Sequence, residues 1–477
     1  MIRVLTANQM KESDKFTIEN LGIPSEVLIE RAGEALFSEI TTRFKGGRVL
    51  IVVGKGNNGN DGLTLGKLLS KIHGFAVSIF DIKKPDFALF DKKYDIIVDC
   101  LFGIGLSRNI EGIYYDVVEK INATKSFIIS CDIPSGLNAD NGLVMNACVN
   151  ANMTICIQEL KTGLLLNDGM DKTGEVIVKD VGISVWEEDF ANLVTAEDVA
   201  PTFCKRNRNV NKGTFGKTAI ISGSKDFVGS SLLSVNALTA LKMGVGYSYL
   251  CIPESLYNVY ACKNPECIIK TIKDKDGFIL FDKDFLDSIL KFDSIAIGMG
   301  IGVSLDVYKT IEYLLNNYTG RLLIDADGLN TLSKFGVNVL KNKKCQVVLT
   351  PHIGEFARLI DIDKTKIIKN PIEFAKDFAK EYDLTLVLKS CTTIIADRDL
   401  VAINTTGNSS LAKGGSGDVL SGIIGGLLTR DRTVLECAYS GCYIFGLSAD
   451  ISVKEQNEYT VTATDVINAL PKAINSL

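Results

Sequence analysis

The sequence is poor in the residue patterns that build histidine-rich and cysteine-rich sites. It has only two histidines, His73 and His352, which excludes any site that needs a histidine cluster. Twelve cysteines occur without a single C-x-x-C pair, so neither a zinc ribbon nor a dithiol redox motif is present. Cysteines such as Cys100, Cys131 and Cys345 lie within apolar runs, which predicts reduced thiols in the core of a cytoplasmic protein.

Excess basic charge and long apolar runs are also missing. The net charge of −5 argues against nucleic-acid binding, which normally requires a basic surface. No apolar run approaches the roughly 18 residues that can span a bilayer. The first residues lack the apolar segment of a signal peptide. We therefore expect a cytoplasmic protein with neither a nucleic-acid partner nor a membrane partner.

What the sequence does contain is a repeated alternation of short apolar strands and helices. Thr6 and Gln9 form the pattern of a capping box, which predicts a helix over 7–20. A strand at 48–53 is followed by a glycine-rich loop and a helix over 61–73. Short buried strands that alternate with helices predict an α/β fold, in which helices cover both faces of a parallel sheet.

The alternation breaks in a polar stretch at 183–212 and then starts again. A chain of 477 residues accommodates two or three domains. We place the boundary at about residue 193, which gives two α/β/α domains, 1–193 and 194–477. The strands predicted in the second domain lie at 217–221, 246–251, 294–297, 321–324, 346–349 and 384–388.

The first glycine-rich segment lies between a predicted strand and a predicted helix. It reads Gly-Lys-Gly-Asn-Asn-Gly-Asn-Asp-Gly over 54–62, and its glycines allow backbone N–H groups to approach a phosphate. Two later strand ends are also polar, at 99–109 and at 132–136. Because the carboxyl ends of parallel strands meet at one edge, the three loops should form one site suited to a hard cation and hydroxyl-bearing ligands. Asp81 follows about twenty residues later, so an ordinary dinucleotide site is an alternative.

These segments, with Leu-Thr-Ala-Asn-Gln-Met at 5–10 and Glu-Arg-Ala-Gly at 30–33, resemble the NAD(P)H-hydrate epimerase domain over about residues 1–190. The resemblance implies a Rossmann-like sandwich in which Asp132 is the acid–base residue at the C6 hydroxyl of the hydrated nicotinamide. It also implies a bound potassium ion, with Asn58, Asp99 and Ser135 as ligands. Asn60 stands where the family usually has glycine, and its side chain is expected to crowd the ligand. The implied substrate-binding residues are Asn57, Asn58, Gly59, Asn60, Asp61, Gly103, Ile104, Gly105, Leu106, Ser107, Arg108, Asn109 and Asp132.

A second glycine-rich segment runs from Asn408 to Asp418 and leads into an apolar helix. Glycines at a helix start present several free N–H donors at one point, where the helix dipole adds positive potential. This pattern predicts an anion hole for a transferring phosphoryl group, with Asp418 placed to accept a proton from an attacking hydroxyl. Other strand ends in this half are polar or glycine-rich and should line the same edge. They begin at Gly298, Asp325, Thr350 and Lys389.

This second set resembles the ribokinase-like superfamily and, within it, the ADP- or ATP-dependent NAD(P)H-hydrate dehydratase over about residues 195–477. The segments 212–216, 244–246, 264–266, 325–327 and 350–358 also carry the match. The implied substrate-binding residues are Gly302, His352, Ile353, Gly354, Glu355, Phe356, Ala357, Arg358 and Asp418. The implied nucleotide-binding residues are Lys389, Ser390, Cys391, Thr392, Thr393, Asn408, Ser409, Ser410, Leu411, Ala412, Lys413, Gly414, Gly415, Ser416 and Gly417. Departures are Asn211, Ser390 and Ser416, where the family has histidine, glycine and threonine, and Ser390 is expected to alter donor affinity.

The two resemblances together predict a bifunctional enzyme that repairs hydrated NADH and NADPH. One domain would interconvert the two epimers of the hydrate, and the other would dehydrate the S epimer with ADP or ATP as phosphoryl donor and Mg²⁺ as cofactor. The resemblance favours ADP and implies a homo-oligomer. One alternative is a small-molecule kinase of the ribokinase type, which uses the same glycine-rich motif. Another is a regulatory nucleotide-binding scaffold without catalytic activity.

Overall fold

The structure is a computed structural model that describes residues 1–186, 189–238, 242–263 and 265–477. Asn264, which contributes to the dehydratase resemblance, therefore lies outside the described residues. The chain forms two compact units, one comprising Ile2–Ala191 and the other Asn192–Leu477 together with Met1. Within the part of the chain that is described, no helix combines the length and the apolar character needed to cross a membrane.

The N-terminal unit consists of eight strands and six α-helices among its described residues. The strands are β1 (Ile2–Leu5), β2 (Gly47–Val53), β3 (Phe75–Asp81), β4 (Ile96–Cys100), β5 (Phe127–Cys131), β6 (Met153–Ile157), β7 (Leu160–Lys161) and β8 (Glu175–Lys179). The helices are α1 (Ala7–Glu19), α2 (Ser25–Arg43), α3 (Asn57–Leu69), α4 (Ile113–Asn122), α5 (Thr162–Leu165) and α6 (Gly169–Lys172). A further strand, β9 (Ala191–Leu193), lies where the two units divide.

Six of these strands form a sheet in the order β3-β2-β4-β5-β6-β8, and all neighbours in it are parallel. Along β2, Val49 and Ile51 pack into one apolar cluster, whereas Leu50 and Val52 pack into another. Successive side chains of a strand point to opposite faces, so the sheet is buried on both sides. The predicted parallel sheet with two covered faces is therefore confirmed.

The C-terminal unit has eleven further strands and twelve α-helices among its described residues. The strands are β10 (Lys217–Ile221), β11 (Tyr247–Pro253), β12 (Ile268–Ile272), β13 (Asp274–Lys275), β14 (Phe278–Ile279), β15 (Ser294–Ile297), β16 (Arg321–Ile324), β17 (Gln346–Leu349), β18 (Thr385–Leu388), β19 (Thr393–Ala396) and β20 (Val401–Asn404). The helices are α7 (Ala196–Val199), α8 (Val228–Leu238), α9 (Tyr257–Ala261), α10 (Lys283–Asp287), α11 (Leu305–Asn317), α12 (Asp327–Phe335), α13 (Ile353–Ile360), α14 (Lys364–Lys369), α15 (Pro371–Tyr382), α16 (Ser416–Leu427), α17 (Val434–Glu455) and α18 (Ala463–Asn475).

The main sheet of this unit has the order β12-β11-β10-β15-β16-β17-β18-β19-β20. The pairs from β12 to β18 are parallel, and β18, β19 and β20 pair antiparallel. The apolar helix α16 lies against the sheet, since Val419 and Ile423 belong to the same buried cluster as Ile220 and Leu323. The α/β prediction is confirmed for this unit as well.

Helix boundaries agree with the sequence predictions at one end and differ at two others. The capping box is present, because Gln9 N donates to Thr6 Oγ1 at 3.2 Å and Thr6 N donates to Gln9 Oε1 at 2.9 Å. Helix α3 begins at Asn57 rather than Asp61, since the chain turns immediately after β2 with Gly56 as its N-cap. Helix α16 begins at Ser416, inside the glycine-rich segment 408–418 that is predicted to lead into it.

Candidate functional sites

A cavity of about 470 Å³ lies at the carboxyl ends of β2, β4 and β5. It is lined from α3 and from the loops that follow β4 and β5, so the three predicted loops do converge. Eight predicted substrate-binding residues line it: Asn57, Asn58, Asp61, Gly103, Ile104, Gly105, Leu106 and Asp132. Five predicted residues are not on its wall: Gly59, Asn60, Ser107, Arg108 and Asn109.

The close packing of the glycine-rich turn explains why Gly59 and Asn60 are absent from the cavity wall. A Cβ at Gly54 would lie 1.9 Å from the Leu101 carbonyl oxygen, so only glycine fits there. Gly59 is buried beneath the turn, whereas Asn60 points away from the cavity and is exposed. The substitution of glycine by Asn60 therefore leaves the cavity wall unchanged in this structure. Asn58 faces the next loop, where its Nδ2 donates to the Phe102 carbonyl at 2.8 Å.

Asp99 lies fully buried beside the cavity. Its carboxylate accepts hydrogen bonds from Ser135 Oγ at 2.6 Å, Ser135 N at 2.8 Å, Ser130 Oγ at 3.0 Å and Leu101 N at 3.2 Å. Burial raises the pKa of Asp99, and these hydrogen bonds oppose that shift. Among the described residues, no cationic side chain forms an ion pair with Asp99.

Asp132 has a φ of 65° and accepts a hydrogen bond from Ile157 N at 3.1 Å. It also forms an ion pair with Lys161, which sequence reasoning missed. Lys161 is fully buried and lines the cavity. Lysine is seldom buried unless it is paired, so its presence here needs an explanation. The only signal in the sequence is a lysine inside the apolar run 160–166.

Asp61 is 8% exposed and lines the same cavity. Burial, reinforced by the negative charges of Asp132 and Asp14, raises the pKa of Asp61 to about 8. Asp14, on α1, also lines the cavity, and burial raises the pKa of its carboxyl. The N-terminal site therefore combines three carboxyl groups with one buried ammonium group.

In the C-terminal unit, Asp418 lies in the first turn of α16. Gly415 is the N-cap with a φ of 93°, a conformation that favours glycine. Burial raises the pKa of Asp418 to about 6, and Asp325 and Asp327 act in the same direction, whereas Lys389 and a hydrogen bond with Ser230 oppose it. A partly buried carboxyl with this pKa can act as a general base near neutral pH.

Lys389, a predicted nucleotide-binding residue, is paired with Asp325. The Lys389 Nζ lies 3.0 Å from Asp325 Oδ1, and Ser421 Oγ donates to Asp325 Oδ2 at 2.5 Å. A Cβ added at Gly417 would lie 3.4 Å from Lys389 Nζ. The ammonium group therefore lies beside the glycine-rich start of α16, next to Asp418.

The predicted substrate segment 352–358 forms the start of α13. His352 is its N-cap: Nδ1 accepts hydrogen bonds from Gly354 N at 3.0 Å and Glu355 N at 3.2 Å. Glu355 completes a capping box by accepting from His352 N at 2.9 Å, so it does not pair with Arg358. Arg358 Nη2 instead donates to Asn330 Oδ1 at 3.0 Å.

The Gly302 N–H donates to Asp327 Oδ2 at 2.9 Å, which brings another predicted residue beside the acidic group near Asp418. The predicted nucleotide-binding loop is held in place by hydrogen bonds to two later segments of the chain. Asn408 Nδ2 donates to Asp450 Oδ1 at 2.8 Å, and Lys413 Nζ donates to the Val461 carbonyl at 2.6 Å. Residues 412–414 of this loop are exposed.

The fold and these two sites define a class: a two-unit α/β enzyme with a separate acid–base centre in each unit. Residues 218–472 match the family model described as NAD(P)H-hydrate dehydratase. Residues 25–89 and 80–163 match the model described as YjeF-related protein N-terminus. The chain belongs to the family of bifunctional NAD(P)H-hydrate repair enzymes.

Relatives with the name of this family match the chain over nearly its whole length. It is 32% identical to the bifunctional NAD(P)H-hydrate repair enzyme Nnr of Dictyoglomus turgidum, over 100% of this chain and 99% of that protein. It is 28% identical to the enzyme of the same name from Escherichia coli K12, over 98% of this chain and 93% of that protein. A crystal structure of the ADP/ATP-dependent NAD(P)H-hydrate dehydratase from Bacillus subtilis, co-crystallised with ATP/Mg²⁺, covers 60% of this chain and 98% of its own, with 26% identity and a TM-score of 0.52.

These matches confirm the predicted family, the fold class and the assignment as an enzyme with an epimerase and a dehydratase domain. They do not support the alternative of a ribokinase-type small-molecule kinase.

Proposed function

We propose that this chain repairs hydrated NADH and NADPH by two reactions. The N-terminal unit interconverts the R and S hydrates, and the C-terminal unit dehydrates the S hydrate with ADP or ATP as phosphoryl donor. The observation that carries the dehydratase assignment is the position of Asp418 in the first turn of α16, beside Lys389 and the glycine run. A base and an anion-binding helix start at one point are what phosphoryl transfer to a hydroxyl requires.

In the dehydratase reaction, Asp418 takes the proton from the C6 hydroxyl of the hydrated ring as that oxygen attacks the terminal phosphorus of the donor. The bond between this phosphorus and its bridging oxygen breaks, and the nucleotide leaves with one phosphate fewer. The N–H groups of the glycine run 414–417 offset the charge on the moving phosphoryl group. Phosphate then leaves C6 with the electron pair of the C–O bond, a proton leaves the adjacent ring carbon, and the double bond of the reduced nicotinamide re-forms. The residues 302, 352–358 and 418 hold the hydrate, and 389–393 with 408–417 hold the nucleotide.

Mg²⁺ is the cofactor expected with the nucleotide, since the related Bacillus subtilis dehydratase was crystallised with ATP/Mg²⁺. The residues fit an ion that arrives with the phosphates, because Mg²⁺ usually keeps phosphate and water ligands. Among the described residues, no group of three acidic, histidine or cysteine side chains forms a ready-made metal site. When bound, the ion would neutralise charge on the donor phosphates.

In the epimerase reaction, Asp132 acts as the acid–base residue at the C6 hydroxyl, and the remaining cavity residues hold the nucleotide. The site also fits a potassium ion held by Asn58, Asp99 and Ser135. Asp99 is a buried carboxylate without a cationic partner among the described residues, and Asn58 uses its Nδ2 for Phe102, which leaves its Oδ1 for a cation. When bound, the ion would offset the buried charge and attract the phosphates of the substrate.

We infer a cytoplasmic location, which is supported by twelve free cysteines, most of them buried. ADP as the preferred donor, a homo-oligomeric state and the lack of nucleic-acid and membrane partners remain predictions. Ser390 is exposed beside Lys389, where its hydroxyl is placed to change donor affinity.

Asp418→Asn separates the two activities. We expect it to lower the rate of donor-dependent dehydration of the S hydrate by at least about 100-fold, because asparagine keeps the shape of the side chain but cannot act as the base. Epimer exchange should continue at the wild-type rate. The measurement is the recovery of the reduced-nicotinamide absorbance with ADP or ATP, alongside chromatography of the two epimers. A wild-type chain that recovers nothing with either donor would rule out the dehydratase assignment, and a stable phosphorylated product would instead indicate a kinase.

A further inference from the structure

The cavity of the N-terminal unit holds more ionisable groups than one acid–base residue requires. Asp61 reaches it from α3, Asp132 from the loop after β5 and Lys161 from β7. On the basis of the proposed epimerase activity, we infer that Asp61 is a second catalytic residue, which protonates the departing C6 hydroxyl. We also infer that Lys161 is a positioning residue that holds Asp132 as the base.

The contacts of Lys161 show why it acts through Asp132. Its Nζ donates to the Asp132 carboxylate, to the Ile157 carbonyl at 2.5 Å and to Cys156 Sγ at 3.5 Å. An ammonium group has three hydrogens, so these three acceptors leave none for the substrate. Burial acts to lower the pKa of Lys161, but the charge of Asp132 outweighs it and the pKa lies above its ordinary value. The ion pair with a charged Lys161 holds the Asp132 carboxylate in place beside the cavity.

The surroundings of Asp61 differ from those of Asp132, which is paired with Lys161. Among the described residues, no donor or cation is in hydrogen-bond or ion-pair contact with its carboxyl. Its charged neighbours are the carboxylates of Asp132 and Asp14, which, together with burial, favour the protonated form. A buried carboxyl group without a structural partner that faces a polar cavity is available to a ligand. Two carboxyl groups in one cavity, one ion-paired with Lys161 and the other without a donor among the described residues, can divide the roles of acid and base.

The reaction at C6 uses one group of each kind. The hydrated ring carries its hydroxyl on C6, next to the ring nitrogen. Asp61 gives its proton to this hydroxyl, the C6–O bond breaks, and water leaves while the nitrogen lone pair forms a C6=N bond. A second water attacks C6 from the other face and gives a proton to Asp132. The net change is inversion at C6 and transfer of one proton from Asp61 to Asp132, and exchange with solvent reverses that transfer.

This assignment predicts the pH dependence of epimerisation. Asp61 must be protonated, and its pKa is about 8, so the rate should fall as the pH rises above about 8. The ionisable groups that face Asp61 or the cavity around it are Asp14, Asp132, Cys100, Cys131, Lys11, Lys55, Lys161 and Tyr114.

The test uses the full-length chain and the R hydrate of NADH, with epimers separated by chromatography. Asp61→Asn should lower kcat by about 100-fold or more with little change in KM, and should abolish the fall in rate above pH 8. Asp171→Asn, at an exposed position outside the cavity, is the matched control and should behave like wild type. Donor-dependent dehydration of the S hydrate in the same samples reports whether each variant is folded.

Lys161→Met should lower kcat with little change in KM, because Asp132 loses the partner that holds its carboxylate in place. Lys161→Arg, which keeps a cation, should restore much of the rate. In water labelled with heavy oxygen, each inversion should incorporate one labelled atom at C6.

Three outcomes would overturn the inference: an Asp61→Asn rate within a few fold of wild type, a rise in KM alone, or retention of the original oxygen at C6. A rise in KM alone in Lys161→Met, or a failure of Lys161→Arg to restore the rate, would limit Lys161 to a structural role, and if Lys161→Met fails to fold, Asp61→Asn still decides. A wild-type chain that does not epimerise at all contradicts the proposed function itself.

Discussion

At the scale of single residues, chemistry in both units depends on carboxyl groups whose surroundings set their protonation. Asp418 is close to the ion pair of Asp325 and Lys389, which act on its pKa in opposite directions. Because burial is the largest influence, the pKa of Asp418 is raised, and its carboxylate is a stronger base than that of an exposed aspartate. Such a group can take a proton from a hydroxyl near pH 7 and return it afterwards.

The pKa of Asp418 leads to a testable pH profile for dehydration. Because the base must be ionised and its pKa is about 6, kcat/KM should fall about tenfold per pH unit below pH 6. Asp325→Asn removes a negative neighbour, which lowers the pKa of Asp418, so this limb should move to lower pH. The position of this limb is measured from the rate of NAD(P)H recovery at saturating donor over a range of pH. A limb that stays in place in Asp325→Asn would show that another group controls the profile.

Sequence reasoning found some of these residues and missed others for a physical reason. Asp418 and Asp132 each stand in a short contiguous motif, so local sequence identified them. Lys161 pairs with Asp132 because the fold brings β7 beside the residue that follows β5, and a lysine in an apolar run has no local signature. Asp14 reaches the cavity from α1, far from the glycine-rich loop in sequence.

At the scale of secondary-structure elements, both sites depend on how a helix begins after a strand or loop. Helix α3 starts directly after the turn at Gly54, and α16 starts after Gly415. In each case a glycine allows the backbone to turn where a side chain would collide. The helix N-terminus then presents its free N–H groups toward the site.

Gly415→Ala tests this role for α16. Its φ of 93° costs roughly 1–2 kcal/mol for any residue with a Cβ, which would also lie 2.6 Å from Leu233 Cδ1. We expect a lower melting temperature and a loss of dehydration on the order of 100-fold, because the anion hole shifts. Gly414→Ala is the control for stability, since a Cβ there has nothing within 4 Å and its melting temperature should stay near wild type. Equal melting temperatures for both variants would contradict the argument.

At the scale of the whole molecule, each unit has its own buried clusters and its own proposed acid–base centre. The family pairs the two activities in one chain, and the chemistry explains the benefit. A dehydratase site shaped for one configuration at C6 leaves the other epimer unused. An epimerase in the same protein makes both epimers available to it.

A mixing experiment tests this division of labour. Given both epimers and a donor, Asp132→Asn should stop once the S hydrate is consumed, and Asp418→Asn should recover no NADH. An equimolar mixture of the two variants should convert the whole pool, because the hydrate can pass from one protein to the other through solution. The final reduced-nicotinamide absorbance measures the extent of conversion. A mixture that stops where Asp132→Asn stops would show that the proposed division between the units is wrong.

The sequence by itself determined the α/β class, the family and the motifs that contain Asp132 and Asp418. These are local properties, because strand and helix periodicity and glycine-rich turns depend on neighbours along the chain. Only the tertiary structure decided which ionisable groups share a cavity and in which protonation state. The ion pairing of Lys161, and the lack of a donor to Asp61 within the described ranges, arise from burial and from contacts between distant segments, which no local pattern encodes.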